Sequence, residues 1–125
     1  MEKGQGTHVI AIVDDDESVQ SALQDLIEAN GFSARCFGSA EEFLESGLQR
    51  TIACLITDIR MPGMSGLELQ AKLKADLCNT PIIFITAHGD ERVRIQAMRE
   101  GGVEFLMKPF DGDVLLKRVR AAVNR

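Results

Sequence analysis

The sequence predicts one α/β domain in which a parallel β-sheet carries helices on both faces. Strand-like and helix-like segments alternate from end to end, and the strand-like segments are short and almost continuously apolar. Such apolar runs are typical of strands that are buried on both faces. The chain has 125 residues, of which 45% are hydrophobic and 26% are charged, so one domain with a packed core accounts for it.

The first quarter of the chain predicts strand, helix, strand and helix in succession. Val9–Val13 is a continuous apolar run and predicts the first strand. Apolar residues at helical spacing then predict a helix that ends at Gly31: Val19, Ala22, Leu23, Leu26 and Ile27. Residues 32–37 alternate apolar with small or polar residues and predict the second strand. Ser39 and Glu42 fit a capping box that begins the second helix.

The middle of the chain repeats this alternation. Residues 52–57 predict the third strand, and a Pro-Gly turn at residues 61–63 follows it. Ser65 and Glu68 fit a second capping box at the start of the third helix. Residues 82–86 then predict the fourth strand.

The last quarter completes a sheet of five strands. Asp90 is suited to cap a fourth helix that ends at Gly101. Residues 103–107 predict the fifth strand. Asp111 is suited to cap a last helix, in which Leu115, Val119 and Ala122 face inward. At this length the alternation favours the doubly wound, flavodoxin-like strand order 2-1-3-4-5. We expect one domain over residues 1–125, with its core at about 8–123.

Composition excludes several functional classes. The net charge of −5 argues against direct nucleic-acid binding by this domain. No apolar run approaches the roughly 20 residues of a membrane span, and residues 1–7 lack a signal core, so we expect a cytoplasmic protein without membrane contact. Cys36, Cys54 and Cys78 form no metal or redox motif, and the first two are expected in the core.

Polar residues collect where the predicted strands end. Asp14 and Asp15 follow the first strand, Asp58 follows the third, Thr86 ends the fourth and Lys108 follows the fifth. The carboxyl ends of parallel strands share one edge of the sheet, and strands one and three meet at the topological switch point, where such folds bind ligands. We therefore expect these side chains to converge in one crevice.

The chemistry of this set favours Mg²⁺ and phosphoryl transfer. Neighbouring carboxylates repel each other unless a cation compensates their charge. Oxygen ligands without nearby His or Cys suit Mg²⁺ best. An aspartate beside that ion, with a lysine and a hydroxyl close by, is equipped to attack phosphorus.

These motifs resemble the receiver domains of two-component response regulators. The resemblance extends from Val9 to Ala122 and rests on four segments in order: Val13-Asp14-Asp15, Asp58-Ile59-Arg60-Met61-Pro62, Thr86-Ala87 and Lys108-Pro109-Phe110. Residues 86–90 further resemble the receivers of FixJ-like, LuxR-type transcription regulators. The resemblance implies a signalling domain that is phosphorylated, rather than an enzyme with a separate substrate.

The resemblance also implies a role for each matching acid. Asp58 corresponds to the phosphoacceptor. Asp14 and Asp15 would hold Mg²⁺ together with Asp58, and the backbone carbonyl of Arg60 would complete the protein ligands. Asp16 is expected to cap the following helix instead.

Five further positions match the phosphate-binding, cis-proline and switching residues of the family. Thr86, with Ala87 beside it, would bind a phosphate oxygen, and Lys108 would form an ion pair with the phosphate. The bond before Pro109 is expected to be cis. Phe105 matches the aromatic switch position, although it is equally suited to be plain core.

The family further implies partners. These are a sensor histidine kinase, a second copy docked through the fourth helix, fifth strand and fifth helix, and a DNA-binding effector domain that is absent from this chain. Arg60 and His88 occupy positions that could tune the lifetime of the phosphoryl group.

Other functions remain compatible with parts of the sequence. Asp14-x-Asp16 superficially fits a phosphohydrolase of the haloacid-dehalogenase type, whose nucleophile would be Asp14. A flavin carrier shares the predicted fold but would need a hydroxyl- or Gly-rich phosphate loop where this chain has acids. A degenerate receiver that only binds a partner would have lost the matching acids, threonine and lysine, which are all present.

Overall fold

The fold is a five-stranded parallel sheet. The computed structural model describes residues 8–87 and 91–124. Its strands are β1 (Val9–Val13), β2 (Ser33–Phe37), β3 (Cys54–Asp58), β4 (Ile82–Thr86) and β5 (Glu104–Met107). They pair in the order β2-β1-β3-β4-β5, all in parallel. The predicted topology is therefore confirmed, and β1 and β3 lie side by side as expected.

Five helices cover the two faces of the sheet. They are α1 (Glu17–Ala29), α2 (Ala40–Ser46), α3 (Gly66–Ala75), α4 (Glu91–Arg99) and α5 (Gly112–Val123). One apolar core packs α1 and α5 on the sheet, and the other packs α2, α3 and α4 on the opposite face. Strands β3 and β4 are buried along their whole length because they lie between both cores, whereas β5 is only half-buried at the edge.

Side-chain caps fix where the helices begin. Asp16 caps α1 by accepting a hydrogen bond from the Ser18 amide, as predicted. Asp111 caps α5, and Ser65 forms the predicted capping box at the start of α3. The start predicted for α4 at Asp90 lies outside the described residues.

The capping box predicted for α2 is only half formed. The Ser39 side chain accepts a hydrogen bond from the Glu42 amide, as expected. The Glu42 carboxylate accepts a hydrogen bond from the Gly38 amide at 2.9 Å, one residue before the cap. The Glu42 side chain thus connects the β2–α2 loop to α2 by a hydrogen bond.

Helix α3 ends in a Schellman motif that has a leucine at its left-handed position. The Cys78 amide donates to the Leu73 carbonyl and the Leu77 amide to the Lys74 carbonyl. Leu77 has φ 58 and is 80% exposed, although glycine is the residue that adopts this conformation at least cost. The Arg50 guanidinium donates to the carbonyls of Asp76 and Leu77 and holds the turn from outside.

Several sequence-based expectations need correction. Asp58 is the last residue of β3 rather than the residue after it, because it still pairs in register with Ile85. Strands β2 and β5 each begin one residue later than predicted, and β3 spans Cys54–Asp58 instead of 52–57. Cys36 is half-buried rather than in the core because it lies on the edge strand β2, whereas Cys54 is fully buried.

Among the described helices, none has both the length and the apolar character to cross a bilayer.

Candidate functional site

Three strands bring two acids and a lysine together at the carboxyl edge of the sheet. Asp14 follows β1 directly, Asp58 ends the neighbouring β3, and Lys108 follows β5. The Lys108 Nζ lies 2.9 Å from Asp14 Oδ2 and 3.0 Å from Asp58 Oδ2. One ammonium group therefore bridges both carboxylates, although the three residues are far apart in sequence. We call Asp14, Asp15, Asp58 and Lys108 the acidic rim.

Asp14 is the most enclosed member of the acidic rim. Its side chain is fully buried, and Oδ1 accepts a hydrogen bond from the Asp16 amide at 2.9 Å. Burial raises the pKa of the Asp14 carboxyl above its ordinary value. The hydrogen bonds from Asp16 and Lys108 oppose the rise, and the nearby negative charge of Asp58 adds to it. The burial of the site therefore disfavours the Asp14 anion.

Asp58 is held by its own loop. Its Oδ1 accepts a hydrogen bond from the Ile59 amide at 2.6 Å, while Oδ2 contacts Lys108. Gly66, at the start of α3, packs so closely that a Cβ there would overlap the Asp58 carbonyl oxygen. The Gly66 amide also donates to the Ile59 carbonyl at 2.8 Å, so α3 begins directly against the end of β3.

Lys108 is held between β4 and the two acids. Partial burial lowers the pKa of Lys108, but the hydrogen bonds and charges of Asp14 and Asp58 outweigh it, so the pKa is raised overall. The ammonium is therefore charged at neutral pH. The Lys108 amide donates to the Thr86 carbonyl at 2.8 Å, which ties the lysine to the end of β4.

The carboxylates of the acidic rim are suited to hold one divalent cation. An oxygen from each of Asp14, Asp15 and Asp58 lies within 4.8 Å of the other two. Asp15 is exposed, whereas the other two acids are buried, so the cluster opens to solvent at Asp15. Hard oxygen donors of this kind fit Mg²⁺, which retains several waters and needs few protein ligands. Arg60 lies exposed just beyond β3, two residues after Asp58.

The other predicted site residues lie around this cluster. Thr86 is fully buried at the end of β4, and Ala87 after it is exposed. Phe105 lies on β5 beside Phe84 in register, and it is half-buried against the core under α4. The peptide bond before Pro109 is cis. His88 lies outside the described residues.

Two further side chains hold the loops of the site, and the sequence analysis did not identify either of them. Gln20 on α1 donates to the Asp14 carbonyl at 2.6 Å and to the Phe37 carbonyl at 3.4 Å. Glu41 on α2 accepts a hydrogen bond from the Met64 amide, in the loop that follows β3. These bonds go to backbone atoms outside the helices that carry Gln20 and Glu41, so no spacing rule for helices or strands could reveal them.

A groove opens beside the acidic rim, between the start of α1 and the end of β5. It encloses about 580 Å³, and mainly apolar groups line it: Ser18, Val19, Ala22, Ala87, Lys108, Pro109 and Phe110. We call it the α1 groove. A partner bound there would lie next to the Lys108 ammonium.

The doubly wound sheet and the acids at its switch point define a class of small α/β proteins with an acidic cation site at the carboxyl edge. Within that class, residues 10–120 match the family model for the response regulator receiver domain, and the chain belongs to this family. Receiver domains are signalling domains of two-component systems. The resemblance stated from the sequence motifs is thereby confirmed.

The chain is similar to several named regulatory proteins. It is 45% identical to response regulator protein TodT of Pseudomonas putida, over 93% of this chain and 51% of that protein. It is 41% identical to nodulation protein W of Bradyrhizobium diazoefficiens, over 98% of this chain and 57% of that protein. The crystal structure of FixJ-N is similar, with a TM-score of 0.86, 38% identity and 96% of both chains covered. The chain thus spans little more than half the length of the curated relatives it matches.

Proposed function

We propose that this domain is a phosphorylation-dependent switch in which Asp58 accepts a phosphoryl group from a histidine kinase. The observation that carries the proposal is the Lys108 ammonium, which lies 3.0 Å from Asp58 Oδ2 and 2.9 Å from Asp14 Oδ2. A nucleophilic carboxylate with a fixed cation beside it can receive a phosphoryl group, because the cation offsets the charge that develops on the phosphoryl oxygens.

The ligands for Mg²⁺ would be the carboxylates of Asp14, Asp15 and Asp58 and the backbone carbonyl of Arg60. When bound, Mg²⁺ supplies positive charge that offsets the negative charge of the phosphoryl oxygens. The burial of Asp14 beside Asp58 supports this assignment, because a bound cation stabilises carboxylate anions that are buried next to each other.

In the proposed transfer, an oxygen of Asp58 bonds to the phosphorus while the phosphorus–nitrogen bond of the donor histidine breaks. The electron pair of that bond returns to the imidazole, which leaves the site as a neutral ring once it is protonated. The product is an aspartyl phosphate whose oxygens can accept hydrogen bonds from Lys108 and from the hydroxyl of Thr86. The result is one covalently held group with more negative charge than the original carboxylate.

Accessibility favours Asp58 over Asp14 as the nucleophile. The Asp58 side chain retains 9% of its surface in contact with solvent, whereas that of Asp14 retains none. A phosphodonor must reach the attacking oxygen, and only Asp58 offers it such a path. This difference counts against a phosphohydrolase of the haloacid-dehalogenase type.

The switch itself would operate through Thr86, Ala87 and Phe105. Thr86 moves toward the phosphoryl group, the loop after β4 follows, and Phe105 turns inward. This repacking changes the surface built from α4, β5 and α5, which we call the α4–β5–α5 face. Phosphorylation shifts the population only as far as the phosphate favours one packing over the other.

The partners follow from the same assignment. The α1 groove, which reaches Lys108, would receive the kinase, and the α4–β5–α5 face would bind a second copy of the domain. The domain would occupy residues 1–125, with its core at about 8–123, and would control a DNA-binding effector domain of a cytoplasmic regulator. Arg60 and His88 would tune how long the phosphoryl group persists.

The decisive experiment is incubation with acetyl phosphate and Mg²⁺, followed by intact-mass measurement and peptide mapping. We expect one added phosphoryl group on the unsubstituted chain and none on Asp58→Asn. Asp25→Asn, which removes an exposed acid from α1, is the matched control and should be labelled normally. Chelation of Mg²⁺ should suppress the labelling of the unsubstituted chain and of Asp25→Asn. A phosphoryl group mapped to Asp14 would favour the hydrolase instead, and an unlabelled chain would contradict both functions.

A further inference from the structure

Glu41 links α2 to the loop that carries the proposed Arg60 ligand. Its Oε2 accepts a hydrogen bond from the Met64 amide at 2.9 Å, across 23 residues of sequence. The loop in question runs from Ile59 to Ser65, between β3 and α3, and we call it the β3–α3 loop. Glu41 is exposed and lies in the first turn of α2, where an acid is expected in any case because of the helix dipole.

Within the described residues, the other polar contacts of the β3–α3 loop come from residues adjacent to it in sequence, while the side chains of Ile59 and Met61 are buried in the apolar core. At its start, the Ile59 amide donates to Asp58 Oδ1 and the Ile59 carbonyl accepts from the Gly66 amide. At its end, the Ser65 amide donates to the Glu68 carboxylate. Among the polar contacts of this loop, the bond from Glu41 is therefore the one that comes from a separate element.

The shape of the loop is matched to this contact. Gly63 has φ 77, in the left-handed region that favours glycine, and this places the Met64 amide toward α2. A Cβ at position 63 would lie 2.6 Å from Glu41 Oε2, closer than a real contact allows. The Glu41 carboxylate thus packs directly against the turn at Gly63.

We propose that Glu41 is a positioning residue that fixes the β3–α3 loop so that the Arg60 carbonyl is presented to Mg²⁺. This inference rests on the proposed function, because it assigns a purpose to a loop that contributes a metal ligand. Metal affinity depends on groups that hold the ligands in place as well as on the ligands themselves. Release of the Met64 amide would leave the loop free to move and would weaken the cation site without removing a ligand.

The test uses the full chain, labelled with ¹⁵N, in NMR titrations with Mg²⁺ alone. Glu41→Ala should weaken Mg²⁺ binding about three- to tenfold and speed hydrogen exchange at the Met64 amide. Glu41→Asp keeps the charge at the start of α2 but withdraws the carboxylate, so it should lose affinity to a similar extent. Glu41→Gln keeps an acceptor oxygen at the same reach and should stay within about twofold of the unsubstituted chain.

Glu45→Ala is the matched control, because it removes an exposed acid from the same helix. Its Mg²⁺ affinity should be unchanged. The inference is overturned if Glu41→Asp binds Mg²⁺ as tightly as the unsubstituted chain, or if Glu41→Gln is as weak as Glu41→Asp, since the second result would show that an acceptor oxygen at the same reach does not hold the loop. An unsubstituted chain that does not bind Mg²⁺ at all would overturn the proposed function itself, and this inference with it.

Discussion

The acidic rim and the α4–β5–α5 face belong to the same sheet but are built in opposite ways. The acids of the rim lie at the ends of β1 and β3, where both strands are buried, and a lysine and backbone amides hold them. At the α4–β5–α5 face, β5 is half-exposed and Ala97 alone is buried in α4, whereas α5 buries Leu115, Leu116, Val119 and Ala122. Ile95 and Met107 expose 41% and 47% of their surface there.

This contrast fits the proposed switch. Chemistry needs a preorganised site, because small displacements of catalytic groups are costly. A surface that must adopt two packings needs few buried contacts, since each one would have to be broken in the change. The predictions below test whether the two regions really differ in this way.

The sharpest comparison is between Phe84 and Phe105, which are neighbours in register on β4 and β5. Phe84 is fully buried, so Phe84→Ala should lower the free energy of unfolding by about 4 kcal/mol. Phe105 is half-buried, so Phe105→Ala should cost about 2 kcal/mol or less. Urea denaturation followed by circular dichroism measures both. Equal losses would contradict the difference in packing between the two regions.

The junction between β3 and α3 leaves no space for a side-chain atom at Gly66. Gly66→Ala places a methyl group against the Asp58 carbonyl and should destabilise the domain by about 2 kcal/mol while slowing phosphorylation. Gly38→Ala is the control, because its Cβ would be 3.6 Å from the nearest atom, an ordinary contact. Its effect on unfolding should stay below about 1 kcal/mol. A stable, fully active Gly66→Ala variant would show that this junction is not rigid.

Asp14 should make the metal-free domain less stable as the pH rises. The pKa of its carboxyl is raised in the folded state, so folding favours the protonated form. The associated stability is present below the ordinary pKa of 3.8 and is lost as the pH climbs through the raised value. Asp14→Asn should therefore be more stable than the unsubstituted chain at neutral pH without Mg²⁺, and the gap should close in acid. Thermal unfolding with a chelator at a series of pH values measures this difference. An Asp14→Asn variant that is less stable than the unsubstituted chain at neutral pH would show that burial does not dominate the pKa of Asp14.

The smallest change in the free energy of unfolding is expected for a substitution on the α4–β5–α5 face. Ile95 is exposed, so Ile95→Ser should change the free energy of unfolding by less than about 0.5 kcal/mol and leave phosphorylation intact. If this face binds a second copy, the same variant should lose any dimer that forms on phosphorylation. Size-exclusion chromatography with and without acetyl phosphate measures the dimer. A large loss of stability in Ile95→Ser would mean that the face is packed more tightly than its exposure indicates.

Sequence patterns predicted the fold because each strand and helix carries its own local signal. The apolar run at Val9–Val13 and the capping box at Ser65 are examples, and both appear in the structure as expected. The convergence of the acidic rim was also predictable, since parallel strands place their carboxyl ends at one edge. The bonds of Gln20 and Glu41 were not, because they join side chains to backbone atoms outside their own helices. Cys36 was misjudged because an apolar residue on an edge strand keeps part of its surface exposed.

Leu77 has a consequence for protein engineering. An exposed leucine in left-handed backbone conformation costs about 1 kcal/mol relative to glycine and offers the fold no core contact in exchange. Because the turn lies between α3 and β4, and β4 runs from this turn toward the acidic rim, a Leu77→Gly replacement acts at the far end of the sheet from the chemistry. Leu77→Gly should thus stabilise the domain, so that more destabilising substitutions elsewhere can be studied in a chain that still folds.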